Sequence, residues 1–240
     1  MNTWKYHPSP DIGTSIADRL QRFPREPGML AYAIRSIGAL FLRVWMRIYH
    51  RLRIDGRENL PASGSYVLVC NHTSHLDTLC LLSAIALRRI HHCFPAAAAD
   101  YFFTSLPRSA VSSTLINALP FDRKAGGGRS LDLCSRLLQQ EGNILILFPE
   151  GTRTTTGAIG RFRSGIGRLA AGNDLDIVPC HLEGGMRAWP KGKLLPRPHR
   201  LHLRIGQARN FRHLDTTAGS VKAVCVDLQH CVSRLAGHRT

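Results

Sequence analysis

From Leu30 onward, apolar residues recur at steps of three and four, at Leu30, Ile34, Ile37, Phe41, Val44, Ile48 and Leu52, while Arg35, Arg43 and Arg47 fall on the other side. At about 100° per residue this spacing predicts an amphipathic helix within 28–55, its stripe widened by Trp45 and Tyr49. Residues 1–27 show no period and carry several prolines, so they are expected to be a poorly ordered leader. Beyond the helix the pattern changes to short continuous apolar runs, the signature of strands buried on both faces. Tyr66–Cys70, Cys93–Ala98 and residues 115–121, 144–148 and 177–182 read this way. Residues 201–205 alternate strictly, with Leu201, Leu203 and Ile205 against His202 and Arg204, which places this strand at an edge or over one covered face. Helical periods fall between the strands, near residues 75–88, 100–113, 128–140 and 162–171, and a last one runs through Val221, Val224, Leu228, Val232 and Leu235. Strands alternating with helices predict an α/β fold, with a mostly parallel central sheet flanked by helices. The expected organisation is a domain over 56–215 and a C-terminal helix in 216–240.

The first helix admits two readings. Arginines on one side with Trp and Tyr beside the stripe suit a membrane-surface helix between anionic headgroups and acyl chains. The same pattern suits a helix docked on the protein's own core with its arginines in water.

A formal charge of +16 over 240 residues implies an anionic partner, which the sign alone leaves open between nucleic acid, a phospholipid surface and a phosphorylated substrate. Nearly all of the charge is arginine, the lysines being Lys5, Lys124, Lys191, Lys193 and Lys222, so part of the excess is also explained by genome composition. The interleaved aromatics and lysine-rich stripe of a nucleic-acid binder are missing, so nucleic acid is not the expected partner. The seven cysteines never form a C-x-x-C and mostly sit in apolar runs, as buried thiols of a reducing compartment do. Charges interrupt the first thirty residues, and no uncharged stretch approaches the roughly 18–20 residues needed to span a bilayer. The expected location is cytoplasmic, with peripheral contact to the cytoplasmic face of the membrane.

Two blocks carry chemistry. Asn71-His72-Thr73-Ser74-His75-Leu76-Asp77 follows a predicted buried strand, and Ser74 to Asp77 has the S-x-x-D form of a helix start. On one continuous helix His72 and Asp77 would be about 140° out of register, so they meet only if His72 lies in the preceding loop. There Asp77 would fix the ring tautomer and leave the other nitrogen as a base. Asp77 also fits as a simple capping acid, and His75 is the competing base. The second block, Phe148-Pro149-Glu150-Gly151-Thr152-Arg153, follows the most apolar strand. Gly151 permits a tight turn and Arg153 a bidentate grip on phosphate, while Glu150 could bind acceptor hydroxyls or hold Arg153; a surface Glu–Arg pair is the plainer reading. The spacing of a nucleotide P-loop is absent. Phe121-Asp122-Arg123-Lys124 and Arg161-Phe162-Arg163-Ser164-Gly165 add cations that either contact phosphate or remain solvated. His72-x-x-His75 and His91-His92-Cys93 lack partner pairs at zinc spacing, so no metal is expected.

These blocks resemble the glycerolipid acyltransferase family, whose best-known members acylate lysophosphatidic acid. Asn71-His72 to Asp77 is similar to its N-H-x-x-x-x-D block, Ala118 to Arg123 to its second block, Phe148 to Arg153 with Phe162-Arg163-Ser164-Gly165 to its third, and Val178-Pro179 to Gly184 to its fourth. The likeness spans roughly residues 50–207, with Asn117 where glycine is usual and Arg163 for a common lysine. It implies His72 as general base and Asp77 as its orienter. Asn71, Arg123, Glu150, Gly151, Thr152, Arg153, Phe162, Arg163 and Gly165 would serve the acceptor, and Pro179 the acyl-donor pocket. It further implies no cofactor, with acyl-CoA or acyl-carrier protein as donor, a lysophospholipid acceptor such as 1-acylglycerol 3-phosphate, and an anionic membrane surface as partner. A hydrolase using water at the same site, or an acyltransferase for a non-glycerol lipid, remains open on the same residues.

Overall fold

The computed structural model describes residues 29–98, 117–121, 128–190, 192–193 and 195–237. The expected leader at 1–27, the helical period at 100–113 and Arg123 lie outside the described residues.

The element order begins with α1 (Met29–Ile48), β1 (Arg53–Asp55), β2 (Tyr66–Cys70), α2 (Leu76–Ala84), β3 (Cys93–Ala98) and β4 (Leu119–Phe121). It continues with α3 (Gly128–Gln139), β5 (Ile144–Leu147), α4 (Ser164–Ala170), β6 (Asp176–Glu183), the short α5 (Gly185–Ala188), β7 (His202–Ile205) and α6 (Ala218–Gly237). Seven strands form one sheet in the order β1-β7-β6-β2-β5-β3-β4. Every pairing is parallel except β6 with β7, so β1 and β7 run against the other strands.

The period-two arrangement of each central strand sorts its residues onto two faces. Tyr66, Leu68 and Cys70 of β2 join Ile144 and Ile146 of β5 under α2, with Ala39 and Met46 of α1 closing that side. Val67, Val69 and Leu145 point the other way, against Cys134 and Leu137 of α3, Ile166 and Leu169 of α4, and Val221, Val224 and Leu228 of α6. All seven cysteines are free and buried.

Two expectations change. Residues 201–205 are not at the edge: β7 lies between β6 and β1, and β1 supplies the edge. Its three residues, Arg-Ile-Asp, are too short and too charged to stand out as a strand, and they are held by parallel pairing to β7 and by Asp55 with His202 at 2.6 Å. The stretch 28–55 is accordingly a helix followed by a strand, with Arg51 turning between them at φ 46°.

The first helix is oriented opposite to a core-docked amphipathic helix. Arg35 is only 4% exposed and donates to Asn117 Oδ1 at 3.4 Å, and Arg43 donates to the Ile85 carbonyl. The apolar stripe faces out, with Ile37 70%, Phe41 71% and Ile48 71% exposed. The side bearing Arg35 and Arg43 thus packs on α2 and the turn Leu87–His92, with Arg47 left exposed, while the exposed apolar stripe has no partner within the described chain. Among the described residues no helix is long and apolar enough to cross a membrane.

β2 sits at the centre of the sheet between β6 and β5. The chain leaves the carboxyl end of β2 through α2 and re-enters beyond β5 as β3, whereas it leaves β5 through α4 and re-enters on the other side of β2 as β6. The two adjacent strands therefore send their connections in opposite directions. A crevice opens at their carboxyl ends, the position where open α/β sheets bind ligands.

Candidate active site

Both sequence blocks reach this crevice. His72 lies in the loop between β2 and α2, and its Nδ1 is 2.9 Å from Asp77 Oδ2. Asp77, the second residue of α2, is completely buried. Its Oδ2 also accepts the backbone N–H groups of Thr73 at 2.6 Å and Ser74 at 2.8 Å, and Oδ1 accepts the Thr73 hydroxyl at 3.3 Å. With three other donors converging on it, this carboxylate faces His72 as the acceptor of an Nδ1–H bond. That tautomer leaves Nε2 with its lone pair available. The ring is further fixed by stacking on Phe148, centroids 4.1 Å apart and planes 16° apart.

Ser74 shows half of the expected cap: its hydroxyl accepts the Leu76 N–H at 3.2 Å and donates to the Trp189 carbonyl at 3.0 Å. His75, the competing base, leans on the Trp189 ring at 5.4 Å. Burial first, then the positive charge of Arg153, push its pKa down to about 4. The carboxylate in this loop is bonded to His72, so His72 is the better placed base.

Glu150 does not hold Arg153, one of the two roles considered for it, and instead gathers loop backbone. Its side chain is buried, Oε1 accepts the His72 N–H at 2.7 Å and Oε2 the Gly160 N–H at 2.8 Å. One carboxylate therefore ties the loop after β2 to both ends of the loop after β5, and the Thr154 N–H closes the same junction on the His72 carbonyl at 2.8 Å. Glu150 forms no ion pair with Arg153.

Arg153 is half-buried and has no carboxylate partner among the described residues, although its field reaches His75. Thr152 is exposed beside it. Gly151 adopts φ 76°, and a Cβ there would lie 2.7 Å from Arg163 Nε, so glycine lets the Arg163 guanidinium lie against the turn. Arg153 and Arg163 thus supply the cationic wall expected for an anionic headgroup.

The remaining expected residues are placed differently. Asn71 is buried, with its amide donating to the Leu182 carbonyl at 3.0 Å and accepting the Leu182 N–H at 2.8 Å; it clamps β2 to β6 where a substrate contact was expected. Phe162 packs in the core beneath α4 and α6. Gly165 is half-buried near Leu131, and Pro179 lies within β6 opposite Val69.

Two glycines matter that no motif singled out. A Cβ on Gly185 would lie 2.6 Å from Thr73 Oγ1 and 2.8 Å from Asp77 Oδ1, and one on Gly160 would lie 2.9 Å from Glu150 Oε2. Both glycines let distant backbone press on the carboxylates.

The acyltransferase family model matches residues 51–183, more than half of the chain. The chain belongs to the acyltransferase family. The matched region runs from just before β1 to the end of β6 and so contains His72, Asp77, Glu150 and Arg153. Among curated relatives, the 1-acyl-sn-glycerol-3-phosphate acyltransferase of Bacillus subtilis is 29% identical over 156 residues, 64% of this chain and 74% of that protein. A chloroplastic enzyme of the same description from Arabidopsis thaliana is 28% identical over 198 residues, 80% of this chain and 52% of that protein. This chain spans about half the length of most such relatives. The crystal structure of a 1-acyl-sn-glycerophosphate acyltransferase from Thermotoga maritima shares the fold, with TM-score 0.63 at 17% identity over 87% of this chain and 80% of that one.

Proposed function

We propose that this acyltransferase moves a fatty acyl group from an acyl thioester to the free hydroxyl of a lysophospholipid, 1-acylglycerol 3-phosphate above all, at the cytoplasmic face of a membrane. The observation that carries the reading is the fully buried Asp77 bonded to His72 Nδ1 in the crevice whose other wall holds Arg153 and Arg163. The names of the relatives point to the same substrate.

In this reading His72 Nε2 takes the proton of the acceptor hydroxyl while its oxygen attacks the thioester carbonyl. The tetrahedral intermediate collapses with loss of the C–S bond, and the imidazolium returns the proton to the departing thiolate. An ester and a free thiol result. A positioned base of this kind contributes about 10²- to 10⁴-fold. Arg153 and Arg163 would hold the acceptor's phosphate, Arg153 as a planar fork and Arg163 against the Gly151 turn. The outward apolar stripe of α1 gives the protein a way to lie in the interface where its acceptor resides, with a net charge of +16 drawing it to anionic lipid.

The test is purified protein with labelled acyl-CoA and a panel of lysolipids, beside His72→Ala. Wild-type protein should form phosphatidic acid and the variant almost none. Turnover surviving in a folded His72→Ala protein overturns the role of the base. Free fatty acid without lysolipid product would make the protein a hydrolase.

A further inference from the structure

On the sheet face away from α1, α4 and α6 frame an open groove of about 970 Å³ that the chemistry above leaves unused. Its charged lining is one-signed: Arg161, Arg168 and Lys222, with the His230 ring beside them, all exposed, and none in an ion pair among the described residues. The nearby acid, Asp215, is turned to its own loop, where Oδ1 accepts from Thr217 and Ser220. The floor is apolar, formed by the edge of Phe162 with Val221 and Cys225. The volume lies within the roughly 300–1,000 Å³ usual for small-ligand sites, which combine such a floor with a few placed polar groups.

The groove's shape is set by backbone. Gly167 brings α4 onto α6 so closely that a Cβ would lie 2.3 Å from the Val221 carbonyl oxygen. Ser164 and Arg168 then stand one helical turn apart along α4, facing Lys222, Val226 and His230, spaced four apart along α6. The groove is also wired to the catalytic loop. It begins at Arg161, next to Gly160, whose N–H shares the Glu150 carboxylate with the His72 N–H. On the α6 side, Gln229 accepts the Phe162 N–H at 3.4 Å, and the Cys225 thiol donates to the Arg163 carbonyl at 3.4 Å.

We infer that this groove binds the polyphosphate and nucleoside end of a nucleotide-borne acyl thioester, so that the thioester reaches His72 past Arg161. The inference rests on the proposed acyl transfer and assigns its donor. Several unpaired cations above an apolar floor fit a ligand with clustered phosphates and a flat ring. The headgroup of the acceptor already has Arg153 and Arg163. A carrier protein bearing the same phosphopantetheine arm would present a broad acidic surface, which a concave groove of this size receives poorly.

The probe is coenzyme A itself, titrated calorimetrically against wild-type protein and the double variant Arg168→Ala/Lys222→Ala. Both side chains are exposed, so the fold is expected to survive, and circular dichroism checks it. The variant should bind coenzyme A at least tenfold more weakly, with wild-type binding falling as salt rises. In turnover, the KM for acyl-CoA should rise by a similar factor, while the preference for acyl-CoA over acyl-pantetheine, which lacks the nucleotide, should collapse. Unchanged coenzyme A affinity in the double variant overturns the inference. So does a loss confined to carrier-protein-fed turnover, which would make the groove a protein dock, or weaker vesicle binding at unchanged donor KM, which would make it a headgroup site. If no thioester is turned over but the variant still loses coenzyme A, the proposed function fails and the groove assignment stands.

Discussion

Asp77 accepts from two backbone N–H groups, a hydroxyl and the His72 ring while wholly out of water, so its chemistry and its local fold depend on one carboxylate. Asp77→Asn puts an amide donor where donors already converge, which disfavours the Nδ1–H tautomer of His72. Turnover should fall by about 10²- to 10⁴-fold, read as kcat at saturating donor and acceptor; a kcat within a few-fold of wild type would show that His72 works without this partner. Gly185→Ala tests the same geometry from a residue that touches no substrate. Its new Cβ must push on Asp77 Oδ1 or Thr73 Oγ1, and a displacement of that scale costs on the order of 10² in rate. KM for the acceptor should hold while kcat drops, and an unaltered kcat would mean that the loop yields without disturbing the pair. The pairing of His72 with Asp77 was legible because both lie in one short loop and helix start, where helical geometry alone restricts how they meet. The roles of Gly185 and Gly160 were not, because the carboxylates they press on come from other segments of the chain. The backbone contacts of Glu150 were hidden for the same reason: its partners at His72 and Gly160 are made neighbours only by the sheet.

At the scale of elements, α1 separates two properties that periodicity merges. A repeat of three and four defines an apolar stripe, but not the medium it faces. Here the stripe faces outward, because Arg35 and Arg43 find acceptors at Asn117 and Ile85 on the inner side. Ile37→Asp with Phe41→Asp should therefore abolish flotation with anionic vesicles and leave the unfolding midpoint nearly unchanged, since exposed substitutions usually stay within about 0.5 kcal/mol. Arg35→Ala should do the reverse, lowering stability by about 1–3 kcal/mol in a denaturant titration by stranding the Asn117 acceptor. Vesicle binding that survives the double substitution would sink the interfacial reading of this helix. The central strands were readable because burial on both faces leaves uninterrupted apolar runs. β1 was not, since Arg53 and Asp55 hide one apolar residue, and without it the edge was one of the two places left for β7.

Across the whole molecule, net charge gave the sign of the partner, and only the fold sorts the cations by use. Arg204 is paired with Glu183 and Arg209 with Asp227, whereas Arg153, Arg161, Arg168 and Lys222 form no ion pair among the described residues. The histidines show a second collective property. His50, His75, His91 and His181 all have pKa values lowered chiefly by burial, His75 and His181 to about 4. For His181 the neighbouring Arg204 lowers it further, with Glu183 opposing. A histidine with its pKa depressed in the folded state binds fewer protons there than in the unfolded chain. Stability is therefore fully present above the unfolded value near 6.5 and is lost as pH falls towards 4, where the folded rings begin to protonate. The buried His181 ring removes up to roughly 3 kcal/mol over that window, and the more solvent-screened His75 less. The melting temperature should decline steadily between pH 6.5 and 4, and His181→Gln, with no ring to protonate, should flatten part of the slope. A melting temperature constant across that range would mean that these rings are hydrated enough to titrate as they do in the unfolded chain.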